Sequence, residues 1–133
     1  MDQKTYCMIK PDAVARGLVG RLVARFEEVG LTVERMELGM VTAEQAAANY
    51  AEHEGKPFYA GLVEYITSGP VVKMVLSGPD AVPVVRKLMG ATNPKDAAPG
   101  TIRGDFGLTL DANIVHGSDS PESAEREIAI FFS

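Results

Sequence analysis

The sequence predicts an α+β domain, a four-stranded antiparallel sheet with flanking helices in a βαββαβ frame. Three observations predict it. Short apolar and β-branched runs recur along the chain, separated by segments of helical periodicity. Glycine and proline punctuate most of the junctions between them. No internal repeat, low-complexity stretch or long linker divides the 133 residues, so residues 1–133 are expected to form one domain.

Each element has its own justification. Thr5 to Ile9 is a short, partly apolar run that reads as a strand, and Lys10-Pro11-Asp12 ends it in a loop. From Leu18 to Val29, the residues Leu18, Val19, Leu22, Val23, Phe26 and Val29 follow one helix face, with Gly30 where a left-handed cap belongs. Leu31 to Val41 is rich in apolar and β-branched residues and reads as a strand. Thr42 with Gln45 forms a capping-box signature, which starts a helix running to about Tyr50. Gly55-Lys56-Pro57 breaks the chain, Phe58 to Ile66 reads as a helix, and Ser68-Gly69-Pro70 closes it. Val71 to Leu76 is apolar except for Lys73, as in a central strand.

Asp80 to Met89 is helical, with Pro83 tolerable in the first turn and Gly90 at the end. Ala91 to Asp111 holds two prolines and three glycines and reads as one long loop, a length usually tied to function or contacts. Ile114 and Val115 make a short strand. Ser120-Pro121 is an N-cap followed by proline at the first helical position, opening a helix to about Phe131. The frame is that of the ferredoxin-like split fold with extra helices.

Composition excludes several functions. The net charge of −5 gives little support to sequence-blind nucleic-acid binding, which needs a basic surface. The single cysteine, Cys7, rules out an intrachain disulfide and multi-thiolate zinc sites. The residues after Met1 lack the basic-then-apolar order of a signal peptide, and no apolar run reaches the ~18 residues of a membrane span. A cytoplasmic, membrane-free protein is expected.

The chain has no Gly-x-x-x-x-Gly-Lys-Ser/Thr loop, Gly-x-Gly-x-x-Gly turn, His-Glu-x-x-His pair or Gly-x-Ser-x-Gly elbow. The informative segment is Asn113-Ile114-Val115-His116-Gly117-Ser118-Asp119. It sets His116 at a strand end, before a turn into a capped helix. Imidazole is nucleophilic near neutrality when one nitrogen is free and the other donates to a fixed acceptor. Glu127 on the following helix could be that acceptor, and Ser118 could steady Glu127. A lone strand-end histidine is ordinarily satisfied by backbone. Lys10, Arg86, Thr92 and Arg103 change that balance, because together they could form a polyphosphate clamp in an otherwise acidic protein.

The same segment, with Met8-Ile9-Lys10-Pro11-Asp12, Gly55-Lys56-Pro57-Phe58-Tyr59, Ser68-Gly69-Pro70-Val71-Val72 and Gly100-Thr101-Ile102-Arg103-Gly104-Asp105-Phe106, resembles the nucleoside diphosphate kinase family. The motifs run in order over essentially the whole chain. The resemblance implies ping-pong transfer, in which His116 takes the γ-phosphoryl group of a nucleoside triphosphate and passes it to a nucleoside diphosphate. It also implies broad base specificity. By the same resemblance, Lys10 contacts the ribose hydroxyl and the transferred phosphoryl, and Tyr50 lines the site beside it. Arg86, Thr92 and Arg103 contact phosphates, and Asn113 binds the sugar hydroxyl. Phe58 stacks on the base, Leu110 covers its other face, and Glu127 and Ser118 orient His116. Mg²⁺ is expected to arrive on the nucleotide phosphates with no protein cage, and the protein is expected to be a homo-oligomer, a hexamer ahead of a tetramer.

Two features depart from the family. Leu110 is bulkier than the valine common at its position. The chain ends at Ser133, where many members continue with a segment that packs on a neighbouring subunit. Two other readings compete: a catalytically silent relative acting as a binding module, and a nucleic-acid-binding role. The retained His116 argues against the first and the net charge against the second.

Overall fold

Four strands form one antiparallel sheet in the order β2-β3-β1-β4 in the computed structural model, which describes residues 2–132. They are β1 (Asp2–Ile9), β2 (Thr32–Gly39), β3 (Val71–Pro79) and β4 (Val115–Gly117). The helices are α1 (Pro11–Ala15), α2 (Val19–Glu28), α3 (Ala43–Asn49), α4 (Tyr59–Ile66), α5 (Ala81–Met89), α6 (Ile102–Phe106) and α7 (Pro121–Phe131). This is the expected α+β arrangement, with β1 and β3 in the centre and β2 and β4 at the edges.

Both faces of the central strands are covered, which explains their near-continuous apolar sequence. In β1, Cys7 and Ile9 point to one face, where Val72 and Met74 of β3 join Leu22 and Phe26 of α2 and Val85 and Met89 of α5. Tyr6 and Met8 alternate to the other face, among Ala46 of α3, Ile66 of α4 and Phe131 of α7. There the rings of Tyr6 and Phe131 stack with centroids 4.8 Å apart, a pairing that adds about 0.5–1.5 kcal/mol beyond area burial. Lys73 lies on this face too; its ammonium donates to Met40 O and Gln45 Oε1, each at 3.3 Å, and ties the start of α3 to the sheet.

The capping box forms as its spacing requires: Thr42 Oγ1 accepts from the Gln45 amide at 3.0 Å, and Gln45 Oε1 accepts from the Thr42 amide at 3.1 Å. Ser120 likewise caps α7 through the Ser123 amide at 3.0 Å. Three expectations are corrected. Pro11-Asp12 opens a short helix, α1, because proline at the first helical position is pre-set for it. The long loop contains α6, capped by Thr101 Oγ1 accepting from the Gly104 amide at 3.0 Å. Ile114 is not in a strand: its φ is +79°, outside extended backbone, so β4 starts one residue later. Among the described residues no helix is long and apolar enough to cross a membrane.

Candidate active site

β4 fixes His116. It pairs across the sheet with Met8 and so shares the face of Tyr6 and α7, with its ring centroid 6.2 Å from that of Tyr6. Its neighbours on β4 point the other way. A Cβ on Gly117 would lie 2.8 Å from Met89 Sδ and 2.9 Å from Val85 Cγ1, so only glycine lets β4 sit this close to α5.

α7 folds back along β1 and delivers Glu127 to the imidazole. The His116 Nε2 to Glu127 Oε1 distance is 2.8 Å, and the Ser118 hydroxyl donates to the same oxygen at 2.7 Å. Ser118 and Glu127 are buried, whereas the His116 side chain keeps 34% of its surface exposed, enough for a reactant to reach it. Burial alone would raise the Glu127 carboxyl above its ordinary value; the hydrogen bonds from His116 and Ser118 and the charge of Arg126 outweigh it, and the group ends below that value. An ionised carboxylate can only accept. Nε2 is therefore the donor, and in the corresponding neutral tautomer Nδ1 holds the lone pair.

The approach to β4 is strained. The Val115 amide donates to Asn113 O at 2.8 Å, closing a three-residue γ-turn around Ile114. For a β-branched residue this backbone costs about 1–3 kcal/mol and persists only where its surroundings hold it. The Lys10 amide donates to Ile114 O at 2.8 Å. Arg103 supplies the rest: Nε donates to Asn113 O at 3.2 Å, one terminal nitrogen to Val115 O at 2.8 Å and the other to Gly90 O at 3.1 Å. Burial, then Arg86, pushes the guanidinium down to about 10, so it stays charged at neutral pH.

Two cavities meet at His116. The larger, about 740 Å³, is lined by Lys10, Tyr50, Phe58, Thr92, Leu110 and Asn113 among others. Phe58 and Leu110 are half exposed at it, offering apolar surface to a flat ring. Lys10 Nζ donates to Asn113 Oδ1 at 2.8 Å, and Asn113 Nδ2 donates to Thr92 O at 3.2 Å. The smaller, about 520 Å³, is lined by Arg86, Tyr50, Asp119, Arg126 and Glu127. Arg86 also donates to Gly117 O at 3.2 Å. Ten of the eleven candidate residues thus line the cavities or form the His116 hydrogen-bond chain. Arg103 stands behind them, with its three described hydrogen bonds spent on backbone carbonyls.

Two residues at the site escaped the sequence reading. His53 lines both cavities and packs edge-on against Phe58 with centroids 5.2 Å apart. Tyr65 lines the larger one and donates its hydroxyl to Asp12. The spacing of Phe58, Leu62 and Tyr65 was the available signal, since i, i+4, i+7 is one helix face, here the cavity face.

An imidazole backed by a buried carboxylate, beside lysine and arginine side chains and an apolar slot, suits nucleophilic attack on an anionic ligand with a flat ring. The family model for nucleoside diphosphate kinase matches residues 3–133. The Archaeoglobus fulgidus nucleoside diphosphate kinase is 58% identical over 131 residues, covering 98% of this chain and 87% of that one. The Thermus thermophilus enzyme is 58% identical over 130 residues, covering 98% and 95%. The solved structure of a halophilic nucleoside diphosphate kinase from Halobacterium salinarum in complex with CDP superposes with a TM-score of 0.96 at 52% identity, over 100% of this chain and 89% of that one. In fold, in sequence from end to end and in the chemistry its site offers, the chain belongs to the nucleoside diphosphate kinase family, and it is a phosphotransferase.

Proposed function

We propose that the chain transfers the γ-phosphoryl group of a nucleoside triphosphate to a nucleoside diphosphate by a ping-pong route through phosphorylated His116. One observation carries this reading: Glu127, held by the buried Ser118 hydroxyl, accepts from His116 Nε2, which supports Nδ1 as the nucleophile. The Nδ1 lone pair attacks the γ-phosphorus, the bond to the β,γ-bridging oxygen breaks, and the diphosphate leaves. A second diphosphate enters the same site, and its terminal oxygen attacks the phosphohistidine, restoring the neutral ring. Glu127 stabilises the positive charge the ring gains while phosphorylated. Such a loose transition state needs alignment and charge neutralisation more than covalent help. Lys10 and Arg86 supply these at the cavity walls. Arg103 holds the turn that aims His116 and adds its charge to the site.

The slot between Phe58 and Leu110 supports acceptance of any base, since every base has a π-face. Asn113 and Lys10 are the sugar and phosphate contacts in this reading, and Thr92 and Tyr50 complete the wall. A wall of cationic side chains suits a Mg²⁺ ion carried in on the nucleotide, where it would neutralise phosphate charge. We also propose a homo-oligomer, a hexamer ahead of a tetramer, supported by apolar side chains exposed on β2 and the loop after α6. A cytoplasmic location suits the buried free thiol of Cys7.

Incubation with γ-labelled triphosphate, then a denaturing gel and acid treatment, tests the mechanism. An acid-labile label is expected on the wild type and none on His116→Ala, which also loses turnover. Full labelling and turnover in His116→Ala would overturn it.

A further inference from the structure

Lys10 follows β1 directly, and its hydrogen-bond acceptor in the cavity is neutral, Asn113 Oδ1 at 2.8 Å. The charged and titratable groups around it come from several elements. Arg103 of α6 repels the ammonium, and Asp12 of α1 attracts it. Tyr65 of α4 lies against it, with the ring centroid 5.8 Å from Nζ. Tyr50, His53, Asp111 and His116 line the same cavity. Burial, then Arg103, pushes Lys10 down to about 8, with Asp12 pulling the other way.

Asp12 is itself anchored. The Tyr65 hydroxyl donates to its Oδ1. Its Oδ2 is buried and has no partner among the described residues. Such an oxygen is costly to bury, and the first turn of α1 favours a carboxylate but leaves this oxygen unpaired, so local structure alone gives no reason for it. A use for its charge does. Lys10 donates to Asn113, not to Asp12, which leaves the ammonium's remaining donors free for a ligand while the carboxylate acts through space.

We propose that Asp12, anchored by the Tyr65 hydroxyl, is a positioning residue for phosphoryl transfer, holding Lys10 as an ammonium in the empty site so that it meets the nucleotide phosphates already charged. This rests on the reading of Lys10 as a phosphate contact. A direct Asp12–Lys10 pair would have to be broken for each nucleotide bound. An offset counter-charge avoids that competition, and it opposes both burial and Arg103.

The sign is fixed by the chemistry. A lysine that must be protonated to hold phosphate loses function as pH rises through its value in the free enzyme. kcat/KM for a nucleoside triphosphate, the substrate that meets the unphosphorylated enzyme, is followed from about pH 6.5 to 9.5, spanning the shifted lysine range. The wild type should fall above about pH 8. Asp12→Asn should move that limb down by about one pH unit, with a far smaller change at the acid end. Tyr65→Phe should move it in the same direction by less. Lys10→Arg should remove the limb, since a guanidinium keeps its proton. An unmoved limb in Asp12→Asn, or an equal loss at every pH, would show a merely structural role and overturn the proposal. If Asp12→Asn does not fold, a carbon-13 NMR titration of the Lys10 Cε in wild type and Tyr65→Phe decides. A midpoint unmoved or raised in Tyr65→Phe overturns the proposal, and a lowered one supports it. This titration reads Lys10 without turnover, so it stands apart from the labelling of His116 that tests the function.

Discussion

A single oxygen, Glu127 Oε1, accepts from both His116 Nε2 and the Ser118 hydroxyl, at 2.8 and 2.7 Å. That sharing separates two tasks. As an acceptor it fixes the tautomer, and as a negative charge it stabilises the ring while the ring is phosphorylated. Glu127→Gln removes only the second, because an amide oxygen still accepts. The rate of phosphohistidine formation should fall about 10- to 100-fold, the worth of a charged over a neutral hydrogen bond, and should not vanish. Rapid-quench measurement of the first turnover checks this. A loss as complete as that of His116→Ala would mean the carboxylate takes part more directly. At this scale the sequence was informative where residue type decides chemistry, as for His116, Glu127 and Ser118. It was silent on Asp12 and Tyr65, which meet from α1 and α4 although they stand 53 positions apart. No local spacing encodes that contact.

At the scale of the element, strands and helices with strong period or clear caps were legible: α2, the Thr42 capping box, and the Ser120-Pro121 start of α7. The errors fell where tertiary contacts override local preference. Ile114 is β-branched and reads as strand, yet it takes a φ of +79° because Arg103 and the Lys10 amide hold the turn around it. α6 was hidden because its five residues are too few to show a period, and Thr101 alone signals its start. The same element-level packing makes Gly117 a sharp test of how β4 is placed. A methyl group there meets Met89, which can yield, and Val85, which is stiff and fully buried. Gly117→Ala should cost about 1–3 kcal/mol, readable as a lowered urea midpoint at unchanged slope. It should also slow turnover, because displacing β4 from α5 moves His116 relative to Glu127. Unchanged stability would show that β4 has room the structure does not give it.

At the scale of the whole molecule, the sheet is finished on one side and open on the other. β4 is short and backed by α5 and α7, whereas β2 is an eight-residue edge strand with largely exposed side chains. Met36 and Leu38 alternate onto one face of it, with Met40 just past its end, and Leu38 keeps 69% of its surface exposed. They share the face of Met74 and Val72, their register partners for Met36 and Leu38, so the buried core runs out into an uncovered apolar row at the edge. A long exposed edge strand with an apolar row is a template for pairing with another chain, and identical copies most often meet about a two-fold axis. A second exposed apolar group, Leu108 at 84%, stands on the loop after α6, far along the chain from β2. Two separate sticky regions on one small subunit support assembly beyond a dimer, as in a trimer of dimers. In the proposed assembly, Leu38→Lys should break a contact through β2 and leave one through Leu108. Light scattering at micromolar concentration should then read a smaller assembly than the wild type, with the subunit fold retained by circular dichroism. Because Arg103 and Thr92 belong to the segment that leads into Leu108, a subunit contact through Leu108 in the proposed assembly would also order that segment. Leu108→Lys should thus lower kcat/KM more than Leu38→Lys does. A wild-type monomer with full activity at micromolar concentration would remove both the assembly and its link to the site.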